Sequence, residues 1–483
     1  MFIGLDLGTS GVRAVLVDAS GTPLCSADAP LNVARPHPGW SEQNPHDWIR
    51  AVQQAVAMLH KARPDDTALV SGIGLSGQMH GATLLDRDGQ VLRPCILWND
   101  TRSHKQAARL DQIPEVREKS ANIVFPGFTA PKLIWVAENE PEIFARVATV
   151  LLPKDYISFW LTGQLVSDMS DAAGTSWLDV GARAWSAELL AKTGMRRDQM
   201  PDLFEGTQSV GVLRADVAQD LGLPDGVQVI AGGGDNAAAA CGVGALEEGD
   251  GFVSLGTSGV LLAARDRFAA APESAVHTFC HAVPGRWYQM GVILAATDSL
   301  NWLSGIVGAP AADLTAALGT TLGPPGRERF LPYLSGERTP HNDSTVRGAF
   351  SGLDVSTSRD DMTRAVLEGV SYALKDSLLA LQSTGANLPR LLAIGGGTAS
   401  RYWVELLATV LDTPLDLPEQ GELGAALGAA RLAICGVTGA DPQDIMTRPR
   451  VSETIDPNAR LSAAYADAHA AFAASYPVLK AMP

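Results

Sequence analysis

Cysteine, runs of basic residues and long apolar stretches are all scarce in this sequence. The five cysteines, Cys25, Cys95, Cys241, Cys280 and Cys435, are odd in number, scattered and without C-x-x-C spacing. That is the pattern of reduced, mostly buried thiols, not of a disulfide framework or a zinc site. No apolar stretch approaches the roughly 18 residues that a membrane span needs. Met1 runs straight into the apolar Phe2–Leu7 segment without a basic leader, so the cytoplasm is the expected address. With a formal net charge of −16 and no Lys/Arg cluster, nucleic acid and anionic membranes are excluded as partners. A nucleotide is not excluded, because local backbone N–H groups and a metal ion hold it rather than net charge. G-x-x-x-x-G-K-[ST] is absent as well, so any ATP is bound without a Walker loop.

What is present is an ordinary globular composition, 46% hydrophobic and 19% charged over 483 residues, enough for two or three domains. The N-terminus reads as β-β-β-α-β. Apolar runs Phe2–Gly8 and Val12–Asp18 are followed by a third after Gly21-Thr22-Pro23, and then by a helix starting at Asn44-Pro45 with Trp48, Val52, Ala55, Val56 and Leu59 on one side. A buried strand is expected over Ala68–Leu75. The hexapeptide Leu-Gly-Thr-Ser-Gly-Val at residues 7–12 returns at 255–260, again between two apolar runs. An internal duplication explains it: two related domains, residues 1–247 and 248–483, with a ligand cleft between them. In the second half, Ser358-Arg-Asp-Asp361 has capping-box spacing before a helix closed by Gly385. A strand over Leu391–Ile394 then meets Gly395-Gly396-Gly397, and a small-residue helix runs from Gly424 to Ile434.

Several segments suit phosphate chemistry. Each Gly-Thr-Ser-Gly turn offers consecutive N–H groups and two hydroxyls with little bulk. One such turn alone reads better as a plain hairpin; two facing copies point to a phosphate grip. Asp6, at the end of the first strand, is placed either to cap its turn or to position Mg²⁺ through water. In Ala231-Gly-Gly-Gly-Asp-Asn236, Asp235 is either the N-cap of a helix or the acceptor of a hydroxyl proton during phosphoryl transfer. Two other motifs lack the context their chemistry needs. Gly72–Gly77 fits G-x-G-x-x-G but is followed by a strand, and His277/His281 have no second ligand pair and read as core.

Together these segments resemble the FGGY family of carbohydrate kinases, over nearly the whole chain. Gly127–Asn139 resembles the family's first signature, and Gly348–Leu353 continuing to Asp361 and Glu368 its second. The resemblance implies an α/β fold of duplicated, ribonuclease H-like ATPase domains of the actin, Hsp70 and hexokinase group, with a cleft between them. It implies ATP and Mg²⁺, Asp235 as catalytic base, Asn236, Met79 and His80 on the sugar, and Asp6 as the metal-linked carboxylate. Gly8, Thr9, Ser10 and Arg13 are implied as one phosphate grip and Gly256, Thr257 and Ser258 as the other. Gly395, Gly396 and Gly397 are implied beside the adenosine and the helix from Gly424 near the adenine. Ser400 and Arg401 are left as alternatives for a ribose or base contact. Ser76–Gly81, Trp98-Asn-Asp100, Leu152–Tyr156, Ser167–Thr175 and Leu334–His341 look most like the pentulose kinases and imply D-xylulose as acceptor. Ribulose, glycerol or gluconate, and an actin- or Hsp70-like ATPase switch, are the competing readings. Oligomeric state, a homodimer included, stays open.

Overall fold

The computed structural model describes residues 1–419 and 424–482. Alternation along Phe2–Leu7 turns Ile3, Leu5 and Leu7 to one face of a sheet and Phe2, Gly4 and Asp6 to the other. The first face is covered by the helix Pro45–Ala62. Asn44 caps this helix by accepting from the His46 N–H, Pro45 sits in its first turn, and Trp48, Val52, Ala55, Val56 and Leu59 are buried. The expected β-β-β-α-β opening is present, with one shift: Pro64 starts a helical turn over Pro64–Thr67, so the next strand begins at Gly72 and runs to Gly77.

The N-terminal sheet is ordered Ser209–Val212, Gln228–Gly234, Gly72–Gly77, Phe2–Leu7, Gly11–Val17, Pro23–Pro30. Phe2–Leu7 pairs antiparallel with Gly11–Val17 and parallel with Gly72–Gly77, which in turn pairs parallel with Gln228–Gly234. The C-terminal sheet repeats this plan. Trp287–Ile293, Gly259–Arg265 and Gly251–Leu255 pair antiparallel in turn; Leu391–Ile394 and Leu415–Pro418 then add in parallel. The duplication seen in one hexapeptide therefore extends to five strands in each half. His277–Cys280 and Val451–Ile455 extend the second sheet at its two edges. The long helix Arg359–Ser383, with the expected reciprocal Ser358/Asp361 capping box, takes the place of Pro45–Ala62.

Two helices cross between the sheets, and each covers the other half's sheet. Asp235–Val243 follows the N-terminal sheet in sequence but buries Ala237, Ala240 and Cys241 with Phe252, Leu262 and Tyr288 of the C-terminal half. Gly424–Thr438 belongs to the C-terminal half in sequence but buries Ala426, Ala430, Ala433 and Ile434 against Phe2, Val15, Val17 and Ile230. The small-residue composition is what permits this: a Cβ on Gly428 would lie 1.7 Å from the Ala238 carbonyl oxygen. The flat surface that this helix meets is thus the N-terminal sheet and the companion helix.

All five cysteines are free, four of them buried. Among the described residues, no helix is long and apolar enough to cross a membrane.

Candidate active site

Phe2–Leu7, Gly72–Gly77 and Gln228–Gly234 run parallel and end together, with Asp6 opposite Ser76 and Ser76 opposite Gly233. Asp6, the Met79-His80 pair and Asp235 therefore gather at the carboxyl ends of parallel strands, where open α/β sheets bind ligands. Ser76 Oγ donates to Asp6 Oδ1 at 3.0 Å; Oδ2 has no hydrogen-bond partner among the described residues. Burial raises the Asp6 pKa above the usual carboxylate range, against the Ser76 bond and the Arg13 charge, which lower it. In the second copy of the turn, Ser254 stands where Asp6 does, so only one of the two turns carries a carboxylate.

Asp235 is not an N-cap. Extended backbone continues through Gly234, which is the residue flanking the helix, and Asp235 is the first residue inside it. Its Oδ1 accepts from the Asn236 backbone N–H at 2.7 Å and from Asn236 Nδ2 at 2.8 Å. Burial first, and then the Asp6 charge, push its pKa up to about 7 despite those bonds. The glycine run before it is a steric requirement: Gly232 has φ +76°, and a Cβ there would lie 1.8 Å from the Leu75 carbonyl oxygen.

His80 has a left-handed backbone, φ 70°, which is uncommon for a residue with a side chain. Three groups hold it there. Thr129 Oγ1 and the buried Lys132 Nζ donate to its carbonyl oxygen at 3.1 and 2.8 Å, and its ring nitrogen Nδ1 lies 2.7 Å from the Gly174 carbonyl oxygen. A carbonyl accepts only, so Nδ1 carries the proton. Burial lowers the His80 pKa to about 3, and Nε2 of the neutral ring is left as an acceptor. The Met79 side chain packs at Gly234 and receives the Tyr288 hydroxyl on Sδ at 3.9 Å.

The two Gly-Thr-Ser-Gly turns join the first two strands of each sheet. Thr9 is tied down: its hydroxyl oxygen receives Trp98 Nε1 at 2.9 Å and lies 3.1 Å from Gln78 Oε1, and its carbonyl receives Gln43 Nε2. Ser10 is exposed. Arg13 is paired with Asp28 at 2.8 Å on the surface, so a phosphate at this turn meets backbone N–H groups unless that pair opens. Gly256 and Thr257 accept through their carbonyls from Thr297 and Ala296 at the start of the helix Thr297–Val307, and Ser258 is half-buried beside them.

That helix forms one wall of a cavity of about 590 Å³; Gly396, Gly397, Ser400 and Tyr402 lie on another. Gly395 is not part of its lining but turns the chain into it with φ +89°. Ser400 and Arg401 both border the cavity. The Ser400 hydroxyl caps the helix Arg401–Leu411, and Arg401 pairs with Glu453. The helix from Gly424, expected near the adenine, lines none of this cavity and lies instead on the N-terminal sheet. The wall from Thr297 to Thr320 carries no motif that would have announced it.

Behind Asp235 lies a buried charge cluster to which sequence reasoning gave no role. Lys154 Nζ sits 2.5 Å from Asp155 Oδ1 and 2.8 Å from Asp168 Oδ2. Asp168 Oδ1 receives Ser170 Oγ, which in turn receives the Gly234 N–H at 3.0 Å. Asp155, Asp168 and Asp171 are close enough together for a metal, but the Lys154 ammonium already supplies the cation. Asp171, whose carboxyl oxygens have no partner among the described residues, is pushed well above the usual carboxylate range by burial. His277 and His281 are core residues, the first beside Asn122 and Phe279, the second on the Ala245 carbonyl.

Two like halves, a glycine turn on each, a carboxylate pair at converging strand ends and a cavity between helix and glycine run define a duplicated ATPase-type phosphotransferase. Residues 1–242 match the N-terminal domain and residues 251–437 the C-terminal domain of the FGGY family of carbohydrate kinases. The chain belongs to that family. It is 47% identical to a xylulose kinase of Klebsiella pneumoniae over 99% of both chains, and 47% identical to one of Escherichia coli over 90% of this chain and 89% of the other. A crystal structure of a xyloylose kinase from Brucella ovis superposes with a TM-score of 0.98 at 57% identity, covering 100% of this chain and 99% of that one.

Proposed function

We propose that the protein is a xylulokinase: it transfers the γ-phosphoryl group of ATP to the terminal O5 hydroxyl of D-xylulose, giving ADP and D-xylulose 5-phosphate. The observation that carries the chemistry is Asp235, a half-buried carboxyl whose pKa of about 7 matches a base working near neutrality. The choice of sugar rests on the near full-length identity to xylulose kinases.

In this reading residues 1–247 hold the sugar and the first phosphate turn, and residues 248–483 the nucleotide. ATP lies with its adenosine in the Thr297–Tyr402 cavity and its phosphates toward Gly8–Ser10 and Gly256–Ser258. Asp235 accepts the O5–H hydrogen bond and aligns the oxygen with the γ-phosphorus. As the O5–P bond forms, the bond from phosphorus to the β–γ bridging oxygen breaks, ADP leaves, and the O5 proton passes to the Asp235 carboxylate late in the step. His80 Nε2 accepts from a sugar hydroxyl, and Met79 and Asn236 shape the site. Asp6, whose Oδ2 has no hydrogen-bond partner among the described residues, would hold Mg²⁺, which when bound would neutralise phosphate charge.

The test is coupled ADP release with D-xylulose, D-ribulose, L-ribulose, glycerol and D-gluconate, in the natural protein and in Asp235→Ala. D-Xylulose should give the highest kcat/KM, and Asp235→Ala should abolish turnover while ATP binding persists. Normal turnover in Asp235→Ala removes the assigned role; no stimulation by any acceptor removes the reaction.

A further inference from the structure

Arg338 comes from the C-terminal half and reaches the aromatic wall that holds His80. Its guanidinium lies over the Phe125 ring, 4.8 Å from the centroid. Phe125 meets Phe128 edge-on at 5.6 Å, and Phe128 stacks on the His80 ring at 4.5 Å. The Arg338 charge is felt by His80 and by His277, lowering both pKa values after burial has done so.

The backbone on either side is pinned. Glu337 Oε1 accepts from the Leu294 and Arg338 N–H groups at 3.0 and 2.8 Å. The Thr339 N–H donates to the Val292 carbonyl at 3.0 Å, and the Thr339 hydroxyl both receives the Val292 N–H and donates to the Ala275 carbonyl. Arg338 therefore leaves a fixed segment. Its half-buried guanidinium has no hydrogen-bond or ion-pair partner among the described residues. Adjacent Glu337 does not supply one, since its Oε1 accepts from backbone N–H groups instead. A half-buried guanidinium whose five N–H donors the protein leaves unused is available to donate to a ligand.

The chemistry of the acceptor sugar provides that ligand; this step rests on the xylulokinase reading above. A 2-ketopentose closes its ring by joining C2 to O5, so an O5 hydroxyl free to attack phosphorus exists only in the open chain, where C2 is a carbonyl. That oxygen can accept a hydrogen bond but never donate one. The groups assembled around the sugar are mostly acceptors or already committed. Asp235 accepts, His80 Nδ1 is spent on Gly174, and one of the two Asn236 Nδ2 hydrogens is spent on Asp235. We infer that Arg338 is a specificity-determining residue whose guanidinium donates to the C2 carbonyl oxygen of the open-chain ketose, selecting the ketose over the polyol of equal length. A hydroxyl in that place can also accept, but it brings a proton of its own, for which the donor-only guanidinium has no lone pair.

The experiment compares kcat/KM for D-xylulose and for D-arabinitol, which differs from it by carrying a hydroxyl and hydrogen at C2, in the natural enzyme, Arg338→Met and Arg338→Lys. Arg338→Met should lose about 10- to 100-fold on D-xylulose, mainly through KM, and several-fold less on D-arabinitol, so the preference for the ketose collapses. Arg338→Lys should restore part of that preference. Equal losses on both substrates, with the preference intact, overturn the inference and leave Arg338 a structural residue. If the natural enzyme turns over neither substrate, the functional reading itself fails, a result distinguishable from the former. Should Arg338→Met not fold, Arg338→Gln, which removes the charge and keeps an amide, carries the same comparison.

Discussion

The His80 imidazole lies nearly parallel to the Phe128 ring, 4.5 Å between centroids and 18° between planes. That stack fixes the ring, but the backbone beneath it is held by Lys132, whose Nζ is wholly buried between the His80 and Gly127 carbonyls at 2.8 and 2.7 Å. Lys132→Met removes both bonds and leaves Thr129 and Gly174 alone to hold a residue at φ 70°. The expected outcome is a KM for D-xylulose raised about tenfold with KM for ATP unchanged. Steady-state kinetics with each substrate varied in turn checks it, and equal effects on both would count against a sugar-side role.

Asp235 also has a stability signature. Its pKa is near 4 in the unfolded chain and about 7 in the fold. Between those values the folded protein holds a proton that the unfolded chain has released. Stability therefore declines as pH rises from 4 to 7 and levels off above. Asp235→Asn keeps the acceptor for Asn236 but never ionises. Melting curves should show the variant gaining on the natural protein across that window, by about 4 kcal/mol at pH 8, and gaining nothing at pH 4.

Asp6 is the second cause of the raised Asp235 pKa, after burial. Asp6→Asn removes that negative charge and should move the acid limb of the kcat/KM profile to lower pH, even as the rate itself falls. A limb that stays in place while the rate drops would show that the two carboxylates do not sense one another.

The Lys154 ammonium offsets Asp155 and Asp168, all three almost fully buried. Lys154→Met leaves two buried acids without a cation and should cost about 3–5 kcal/mol. It should also slow turnover in the folded fraction, because Asp168 and Ser170 hold the Gly234 N–H beside Asp235. Denaturant titration together with active-site-normalised rates separates the two effects.

What could be read from the chain was local. Period-two alternation placed Phe2–Leu7, an Asn-Pro start placed Pro45–Ala62, and the Ser358/Asp361 spacing placed Arg359–Ser383. The repeated hexapeptide exposed the duplication because identical turns need identical small residues. What could not be read depended on distant packing. The helix from Gly424 was placed by its composition against something flat, but nothing in its own residues says that the surface belongs to the other half. The cavity wall from Thr297 to Thr320 is built by generic helix formers, and the buried Lys154 cluster becomes a unit only when residues from two segments meet. At Asp235 the segment alone favoured a helix cap over a base, and the extended backbone at Gly234 removed the cap.

The crossed helices carry a consequence for synthesis. The ribosome delivers Phe2, Val15, Val17 and Ile230 long before Ala426, Ala430 and Ala433, the residues that cover them. The N-terminal half thus emerges with one apolar face of its sheet bare, and it cannot be finished until residue 438 has left the exit tunnel. A nascent chain of this protein waits for its own far end, and a gene cut near codon 248 would yield a first product with that face uncovered.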